Sequence, residues 1–175
     1  MQTSFTDKQL LDKDNKSSES ILRKCVHCGM CNATCPTFCV NGEELEGPRG
    51  RIYLIKDMLE NKKPANKKVV KHIDSCLSCY SCMTTCPSGV NYMHLIDHGR
   101  NYVEETYKRP FFDRLFRNVL SFVLPRPKVF LALAYLSKLI KPFSFLLPTF
   151  LKNSLNLMPN KIPSKKIETQ KIYKP

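Results

Sequence analysis

The stretch CVHCGMCNATCP (residues 25–36) places four cysteines at the spacing C-x2-C-x2-C-x3-C and ends on a proline. The same spacing returns in CLSCYSCMTTCP (residues 76–87). Three cysteines at x2 intervals on a tight loop can surround three corners of an iron–sulfur cubane. The proline after the fourth cysteine lacks an N–H and keeps that cysteine out of a regular helix. The duplicated motif therefore predicts an iron–sulfur domain.

Motifs of this kind share their ligands in a crossed manner. In bacterial-type 4Fe-4S ferredoxins, each motif gives three ligands to one cluster, and its fourth cysteine ligates the other cluster. The repeat thus predicts two 4Fe-4S clusters. The first is assigned Cys25, Cys28, Cys31 and Cys86, and the second is assigned Cys76, Cys79, Cys82 and Cys35. Two zinc sites are the alternative, but zinc frameworks rarely follow three cysteines at x2 spacing with x3-C-P.

A ninth cysteine, Cys39, has no counterpart in the second motif, where the matching position is Val90. Because free cysteine packs well as a small apolar residue, the prediction is a buried residue that is not a ligand. A redox role or a role as an alternative ligand is the second interpretation.

The histidines predict no further metal site. His94 and His98 are four residues apart, but Leu95 occupies the place of the glutamate in H-E-x-x-H. We expect both to be polar residues on a helix face. His27 lies inside the first ligand loop, where shielding of the cluster or a hydrogen bond toward sulfur is expected rather than iron binding.

Charge divides the chain into two regions. Residues 1–106 contain 14 Lys+Arg and 13 Asp+Glu together with all nine cysteines, whereas residues 107–175 contain 14 Lys+Arg and 2 Asp+Glu. The odd number of cysteines excludes full disulfide pairing, and the polar N-terminus lacks the apolar segment of a secretory signal. We therefore expect a cytoplasmic protein whose clustered cysteines bind metal.

Helical periodicity dominates the cysteine-rich region. Apolar stripes predict helices over residues 50–61 and 92–109, and a short helix is expected at residues 18–24. Alternating strand patterns are absent from the sequence. The predicted class is mainly α: an α-helical ferredoxin domain with two 4Fe-4S clusters, followed by a basic helical tail. The predicted domains are a flexible N-terminus (1–20), the two-cluster domain (21–109), basic amphipathic or apolar helices broken by prolines (110–158) and a linker (159–175).

Between the motifs, Gly47-Pro48-Arg49-Gly50-Arg51 fits a tight turn that starts the next helix. Arg49 and Arg51 either face a cluster, where a guanidinium would raise its reduction potential, or belong to a solvated turn. Both interpretations stay open from the sequence.

The basic tail has three interpretations. Phe111, Phe112 and Leu115 belong to an amphipathic stripe, and the longest apolar stretch, residues 129–140, is too short to span a membrane. The tail is expected to pack on a further domain; docking on an anionic membrane surface is the second interpretation, and nucleic-acid binding is the third. No nucleic-acid recognition motif is present, so nucleic acid is not an expected partner.

The sequence also lacks a G-x-G-x-x-G or Walker loop and a nucleophile elbow. Hydride or substrate chemistry needs a flavin, a nicotinamide or a substrate metal. We therefore expect no substrate-catalytic residue on this chain, and a role as an electron relay for a partner that performs the chemistry.

Three segments together narrow the family. CVHCGMCNATCPT, GEELEGPRGRIYLIKDMLE and CLSCYSCMTTCPSGVNYMHLIDHGR resemble the N-terminal half of the iron–sulfur subunit of bacterial glycolate oxidase (glycolate dehydrogenase). The resemblance covers about residues 20–175. It implies a complex with flavin-containing dehydrogenase subunits, which carry FAD, oxidise glycolate to glyoxylate and pass electrons toward a membrane quinone pool.

The sequence departs from that family at two points. Cys39 is an additional cysteine, and the Cys-Cys-Gly repeats of the family's C-terminal part are absent here. Residues 159–175 are therefore expected to be a linker to a missing C-terminal cysteine-rich domain.

The predicted function is that of an electron-transfer subunit of a glycolate oxidase complex, in the cytoplasm or peripheral on the inner face of the cell membrane. The first alternative keeps the clusters but places them in a lactate, glycerol-3-phosphate or heterodisulfide-type oxidoreductase. The second is a cluster-stabilised protein that binds nucleic acid or membrane. The GPRGRIYLIK segment favours glycolate oxidase over the first alternative.

Overall fold

The protein is helical throughout the part described by the computed structural model, which comprises residues 1–141 and Asn153. Nine helices are present among these residues: α1 (Asp7–Leu10), α2 (Lys13–Lys24), α3 (Pro36–Asn41), α4 (Pro48–Asn61), α5 (Lys67–Asp74), α6 (Ser81–Thr84), α7 (Tyr92–Thr106), α8 (Phe111–Val123) and α9 (Pro127–Ile140). Two 3₁₀ turns lie at Met30–Asn32 and Glu44–Glu46. The described residues contain no β-strand, which confirms the mainly α class. The chain divides into two compact units, Met1–Lys108 and Arg109–Pro175.

The core of the first unit forms where α4 packs against α7. The stripe predicted for α4 is buried in full, through Ile52, Ile55, Met58 and Leu59. Gly99 allows the close approach of α7, because a Cβ at this position would lie 2.8 Å from Cγ1 of Ile55. Helix α2 and helix α5 complete the core with Ile21, Leu22, Val70 and Ile73. The predicted helix at 92–109 ends three residues early, at Thr106, since Tyr107 is extended.

Residues 1–20 do not form the flexible segment that the sequence predicts. They hold α1 and most of α2, and α2 extends the helix expected at 18–24 back to Lys13. The reason is a buried side chain, Gln9, whose Nε2 donates to the carbonyls of Leu59 and Glu60 at 2.8 and 3.0 Å. These carbonyls belong to the last turn of α4, where carbonyl groups lack hydrogen-bond donors within the helix. The N-terminal segment therefore closes the end of a core helix.

His98 links α7 to α2, a contact that the expectation of a polar residue on a helix face does not include. Its Nδ1 lies 2.6 Å from Oγ of Ser18, a side chain that is fully buried. Burial lowers the pKa of His98; repulsion by His94 acts in the same direction, and the charges of Asp12, Asp14 and Glu105 oppose it. Protonation of His98 is therefore less favourable in the folded protein than in the unfolded chain.

We expect the first unit to lose stability as pH falls through about 6.5, the ordinary pKa of an unfolded histidine. Below that pH the unfolded chain binds a proton that folded His98 resists, so protonation favours unfolding. The check is the midpoint of thermal unfolding of the reconstituted protein at pH 8 and pH 6, compared with His98→Asn, which keeps a polar atom at the δ position. An equal pH dependence in both proteins would contradict the assignment to His98.

The second unit exposes a wide apolar surface. Helix α8 is present as the amphipathic pattern predicts, and Phe111, Phe112 and Phe116 are all more than half exposed. Among the described residues, no single helix is long and apolar enough to cross a membrane; Phe111–Val123 and Pro127–Ser137 satisfy the length and composition criteria only as a pair, bent by 113°. The predicted tail beyond residue 141 and the linker at 159–175 lie outside the described residues, Asn153 apart.

Candidate iron–sulfur centre

The two cysteine motifs fold into matching loops. In the first loop, His27 and Gly29 have positive φ angles of 59° and 84°, and in the second, Ser78 and Tyr80 have φ angles of 53° and 57°. These are the same two positions in each repeat, and positive φ is uncommon for residues other than glycine. The left-handed residues turn the chain between successive cysteines, so that their side chains converge on one side of each loop.

Each loop lines a cavity that also receives the fourth cysteine of the other motif. The first cavity is lined by Cys25, Cys28 and Cys31 of the first motif and by Cys86 of the second. The second cavity is lined by the second set of predicted ligands, Cys35, Cys76, Cys79 and Cys82. The structure thus brings together all four members of each predicted set, in the crossed arrangement. Cys82 also borders the first cavity.

The crossing follows from the local structure after each third cysteine. Pro36 is the first residue of α3, so Cys35 stands just before that helix with an extended backbone. Its Sγ lies in the second cavity, between the start of α3 and the start of α4. Cys86 likewise follows the short helix α6 and precedes Pro87. A hydrogen bond between the hydroxyls of Thr34 and Thr85, at 3.1 Å, joins the two motifs just before these residues.

The donor set fits an iron–sulfur cluster. Burial raises the pKa of Cys31 to about 11, and repulsion by nearby thiolates, led by Cys25, adds to the effect. Burial likewise raises the pKa of Cys82 to about 12, again with repulsion from neighbouring cysteines of both motifs. Thiols crowded in this way do not ionise together unless cations lie among them, and thiolate is the ligand that iron–sulfur clusters take. Each cavity therefore suits a positively charged metal core.

The N-terminus of α4 lies between the two cavities. Pro48, its first residue, borders both, Arg49 lines the first and Arg51 lines the second. Their environments differ, because Arg49 is 42% exposed and pairs with Glu44 at 3.5 Å, whereas Arg51 is 1% exposed. The interpretation as a plain solvated turn is therefore wrong for Arg51. The positive end of the helix dipole also points toward this region, where cluster and thiolates carry negative charge.

Arg51 is fixed by a buried polar network that the sequence analysis did not identify. Its guanidinium donates to the carbonyl of His72 at 2.6 Å and to the carboxylate of Glu46 at 3.0 Å. Burial opposes ionisation of Glu46, but hydrogen bonds from Ser75 and His72 and the Arg51 charge hold its pKa below the usual value. The spacing of Glu46 and Arg51 on either side of Gly47-Pro48 is the one signal in the sequence that points to this pair.

Glu43, Glu46 and His72 also form a group whose ligand atoms lie within 4.8 Å of one another. A metal ion is not needed to balance their charge, since the guanidinium of Arg51 already lies against Glu46.

Cys39 is exposed, and the prediction that it is buried is wrong. It lies on α3, a helix of six residues that buries none of them. Its thiol donates to the carbonyl of Ala33 at 3.5 Å and lines neither cavity. The matching residue of the second repeat, Val90, is buried. At this position of the repeat, the residue of the second motif is buried and the cysteine of the first motif is exposed.

Comparison with known proteins points to the same chemistry. Residues 21–90 match the family described as "4Fe-4S dicluster domain". The chain is 50% identical over 143 residues to the glycolate oxidase iron–sulfur subunit of Escherichia coli (strain K12), an alignment that covers 82% of this chain and 35% of that protein. It is 32% identical over 117 residues to the probable glycolate oxidase iron–sulfur subunit of Bacillus subtilis (strain 168), with coverage of 64% and 26%.

A more distant relative is the mitochondrial succinate dehydrogenase (ubiquinone) iron–sulfur subunit of Candida glabrata, 27% identical over 84 residues, which cover 45% of this chain and 33% of that protein. No solved structure matches the chain. The chain thus spans about a third or less of the length of the curated relatives it matches. The resemblance to glycolate oxidase iron–sulfur subunits and the 4Fe-4S character of the domain are confirmed.

Proposed function

We propose that this chain, which carries a 4Fe-4S dicluster domain in residues 21–90 and resembles glycolate oxidase iron–sulfur subunits, transfers electrons within a glycolate oxidase complex. The observation that carries the proposal is the convergence of two crossed sets of four cysteines on two adjacent cavities. Adjacent cavities of this kind suit a relay, in which one site passes an electron to the next.

The proposal assigns two 4Fe-4S clusters, one to each cavity. Cys25, Cys28, Cys31 and Cys86 would hold the first, and Cys76, Cys79, Cys82 and Cys35 would hold the second. A bound cluster supplies reversible one-electron transfer. Residues of this chain position the cysteine ligands of each cluster, limit the access of water to the buried sulfurs and donate hydrogen bonds to those sulfurs. Cys28 and Cys79 are exposed, so each cavity also reaches the surface, where electrons can enter or leave.

The proposal assigns the substrate chemistry to other subunits. Oxidation of glycolate to glyoxylate removes two electrons and needs a flavin, which splits them into single-electron steps. We therefore assign FAD to partner dehydrogenase subunits and propose a quinone-type acceptor, with the complex in the cytoplasm or on the inner face of the cell membrane. The basic, apolar surface of α8 supports attachment to an anionic surface.

A second candidate keeps the relay and changes the substrate. The match to a succinate dehydrogenase iron–sulfur subunit supports a wider class of electron-transfer subunits that serve flavin enzymes. In this candidate, the chain is the iron–sulfur electron-transfer subunit of a lactate, glycerol-3-phosphate or heterodisulfide-type oxidoreductase. The much higher identity to the glycolate oxidase subunit favours the first proposal.

The test is the reduction of the clusters by substrate in the assembled complex. We expect the tagged full chain to co-purify with flavoprotein subunits and to develop the EPR signal of reduced 4Fe-4S clusters when glycolate is added. D-lactate, L-lactate and glycerol-3-phosphate serve as comparison substrates under the same anaerobic conditions. If one of them reduces the clusters and glycolate does not, the second candidate replaces the first.

A further inference from the structure

The two cavities are related by the repeat but differ in the donors that reach their sulfur atoms. We propose that Arg51 and Tyr92 make the cluster at the second cavity the more easily reduced of the two. This inference rests on the proposed function only in requiring that both clusters are present. It concerns the order in which they take up electrons, whatever the substrate of the complex.

The first observation is the contact between Arg51 and Cys35. Nη1 of Arg51 lies 3.9 Å from Sγ of Cys35, within the distance of a hydrogen bond to sulfur. The orientation of the guanidinium is fixed, because Nε donates to the carbonyl of His72 and Nη2 donates to Thr37, Glu46 and Ser75. Every nitrogen of the side chain thus has a partner. The positive group is held against the sulfur and is excluded from water.

The second observation is that two hydroxyl groups reach the same set of sulfurs. The hydroxyl of Tyr92 donates to Sγ of Cys76 at 3.7 Å. The hydroxyl of Thr37 lies 3.2 Å from Sγ of Cys35, but its single proton is donated to the carbonyl of Glu46 at 2.7 Å, so Tyr92 is the hydroxyl donor to this set of sulfurs. Tyr92 is buried, so it is confined to this position.

The first cavity lacks comparable donors. Arg49 borders it, but its guanidinium is partly exposed and pairs with Glu44. The chain's amino group donates to the carbonyl of Cys25 and not to its sulfur. Among the described residues, no arginine or tyrosine donates to a sulfur of the first set. Solvent screens the charges of Arg49 and of the amino terminus more strongly than the buried charge of Arg51.

Reduction adds one negative charge to a cluster and its thiolates. Hydrogen bonds to the sulfurs and nearby positive charge stabilise the reduced form, and both raise the reduction potential. A hydrogen bond from an ionised donor is about twice as strong as one between neutral groups. The carboxylate of Glu46 offsets part of the Arg51 charge. The direct N–H contact to Sγ of Cys35 remains. We therefore expect the cluster at the second cavity to have the higher reduction potential.

The test is an anaerobic redox titration of the reconstituted full chain with mediators, followed by EPR. We expect two midpoint potentials. Arg51→Met should lower the higher one, so that at a fixed solution potential the ratio of reduced to oxidised cluster falls about tenfold, which is about 59 mV for a one-electron couple. Tyr92→Phe should lower the same midpoint by less, and Glu46→Gln should raise it because a negative charge is removed. The matched control, Arg49→Met, should leave both midpoints nearly unchanged.

Iron and sulfide contents of each variant are measured first, so that a change in potential is compared only between proteins with full clusters. Arg51→Met leaves Glu46 buried without its cation and can lose folding; Tyr92→Phe deletes one hydroxyl and tests the inference in an intact core. The inference is overturned if either Tyr92→Phe or Arg51→Met shifts the lower midpoint instead of the higher one. It is also overturned if neither variant shifts a midpoint. Because the titration uses chemical reductant, it gives its answer even if glycolate fails to reduce the complex.

Discussion

Cys35→Ser is expected to lower the iron content of the reconstituted chain from about eight to about four atoms, whereas Cys39→Ser should leave it unchanged. The two residues are four positions apart on the same short segment. Cys35 is buried in the second cavity, and Cys39 is exposed and lines neither cavity. A serine at residue 35 removes one of four thiolates and puts a weaker, harder ligand beside Cys76, Cys79 and Cys82. The measurement is iron and acid-labile sulfide per chain after anaerobic reconstitution, with EPR of the reduced protein.

Cys86→Ser is the matched counterpart, because it removes the crossed ligand of the first cavity. We expect it also to remove about four irons per chain, with the loss from the other cluster. The two variants should therefore leave EPR signals of different shape. If Cys39→Ser loses iron and Cys35→Ser does not, the ligand assignment is wrong. If Cys35→Ser and Cys86→Ser leave the same signal, the crossing is wrong even though the cysteines are ligands.

Loss of either cluster should also reduce stability, since both crossed ligands connect segments far apart in the chain. Cys35 joins the start of α3 to the second motif, and Cys86 joins the region before α7 to the first. Metal–ligand bonds of this kind supply folding free energy that a small core does not. The proposed clusters would therefore add a second connection between the two motifs, beside the core in which α4 packs against α7.

The elements predicted well from the sequence are those with a strong local signal. The stripe on α4 and the stripe on α7 each carry four or more apolar residues at helical spacing, and burial of those faces forms the core. The crossed cysteine sets were predicted from spacing and from the internal repeat. The structure places the four cysteines of each set around one cavity, where left-handed residues at matching positions of the two motifs turn the loops.

The features that cannot be predicted from the sequence depend on contacts between residues far apart in the chain. Gln9 looks like an ordinary polar residue, yet its amide closes the end of α4 some fifty residues away. His72 and Ser75 acquire their roles only through Arg51 and Glu46, which are brought to them by folding. Cys39 is the opposite case, because its apolar character predicts burial while the short surface helix that carries it buries nothing. Local propensity contains no information on any of these contacts.

Gly50→Ala is expected to destabilise the first unit by about 3 kcal/mol or more, at the upper end of the cost of overpacking. In an ordinary helix interior this substitution stabilises by about 0.5–1 kcal/mol. Here a Cβ would lie 2.3 Å from the carbonyl oxygen of Glu44 and 2.7 Å from Cα of Leu45. Both are backbone atoms of a 3₁₀ turn, so no side-chain rotation relieves the contact. The start of α4 must move away from that turn, which separates Arg51 from Glu46.

The measurement is the midpoint of thermal unfolding of the reconstituted chain, recorded at one scan rate by circular dichroism and by cluster absorbance. For a unit of about 100 residues, 1 kcal/mol corresponds to about 4–8 °C, so we expect the midpoint to fall by more than about 10 °C. Gly99→Ala is the matched control on α7. Its Cβ would lie nearest to side-chain atoms of the buried Ile55 and not to a backbone atom, so we expect a smaller fall in the midpoint than for Gly50→Ala. A Gly50→Ala protein as stable as wild type would show that α4 does not pack against the 3₁₀ turn, and the fixed position of Arg51 beside Cys35 would lose its structural basis.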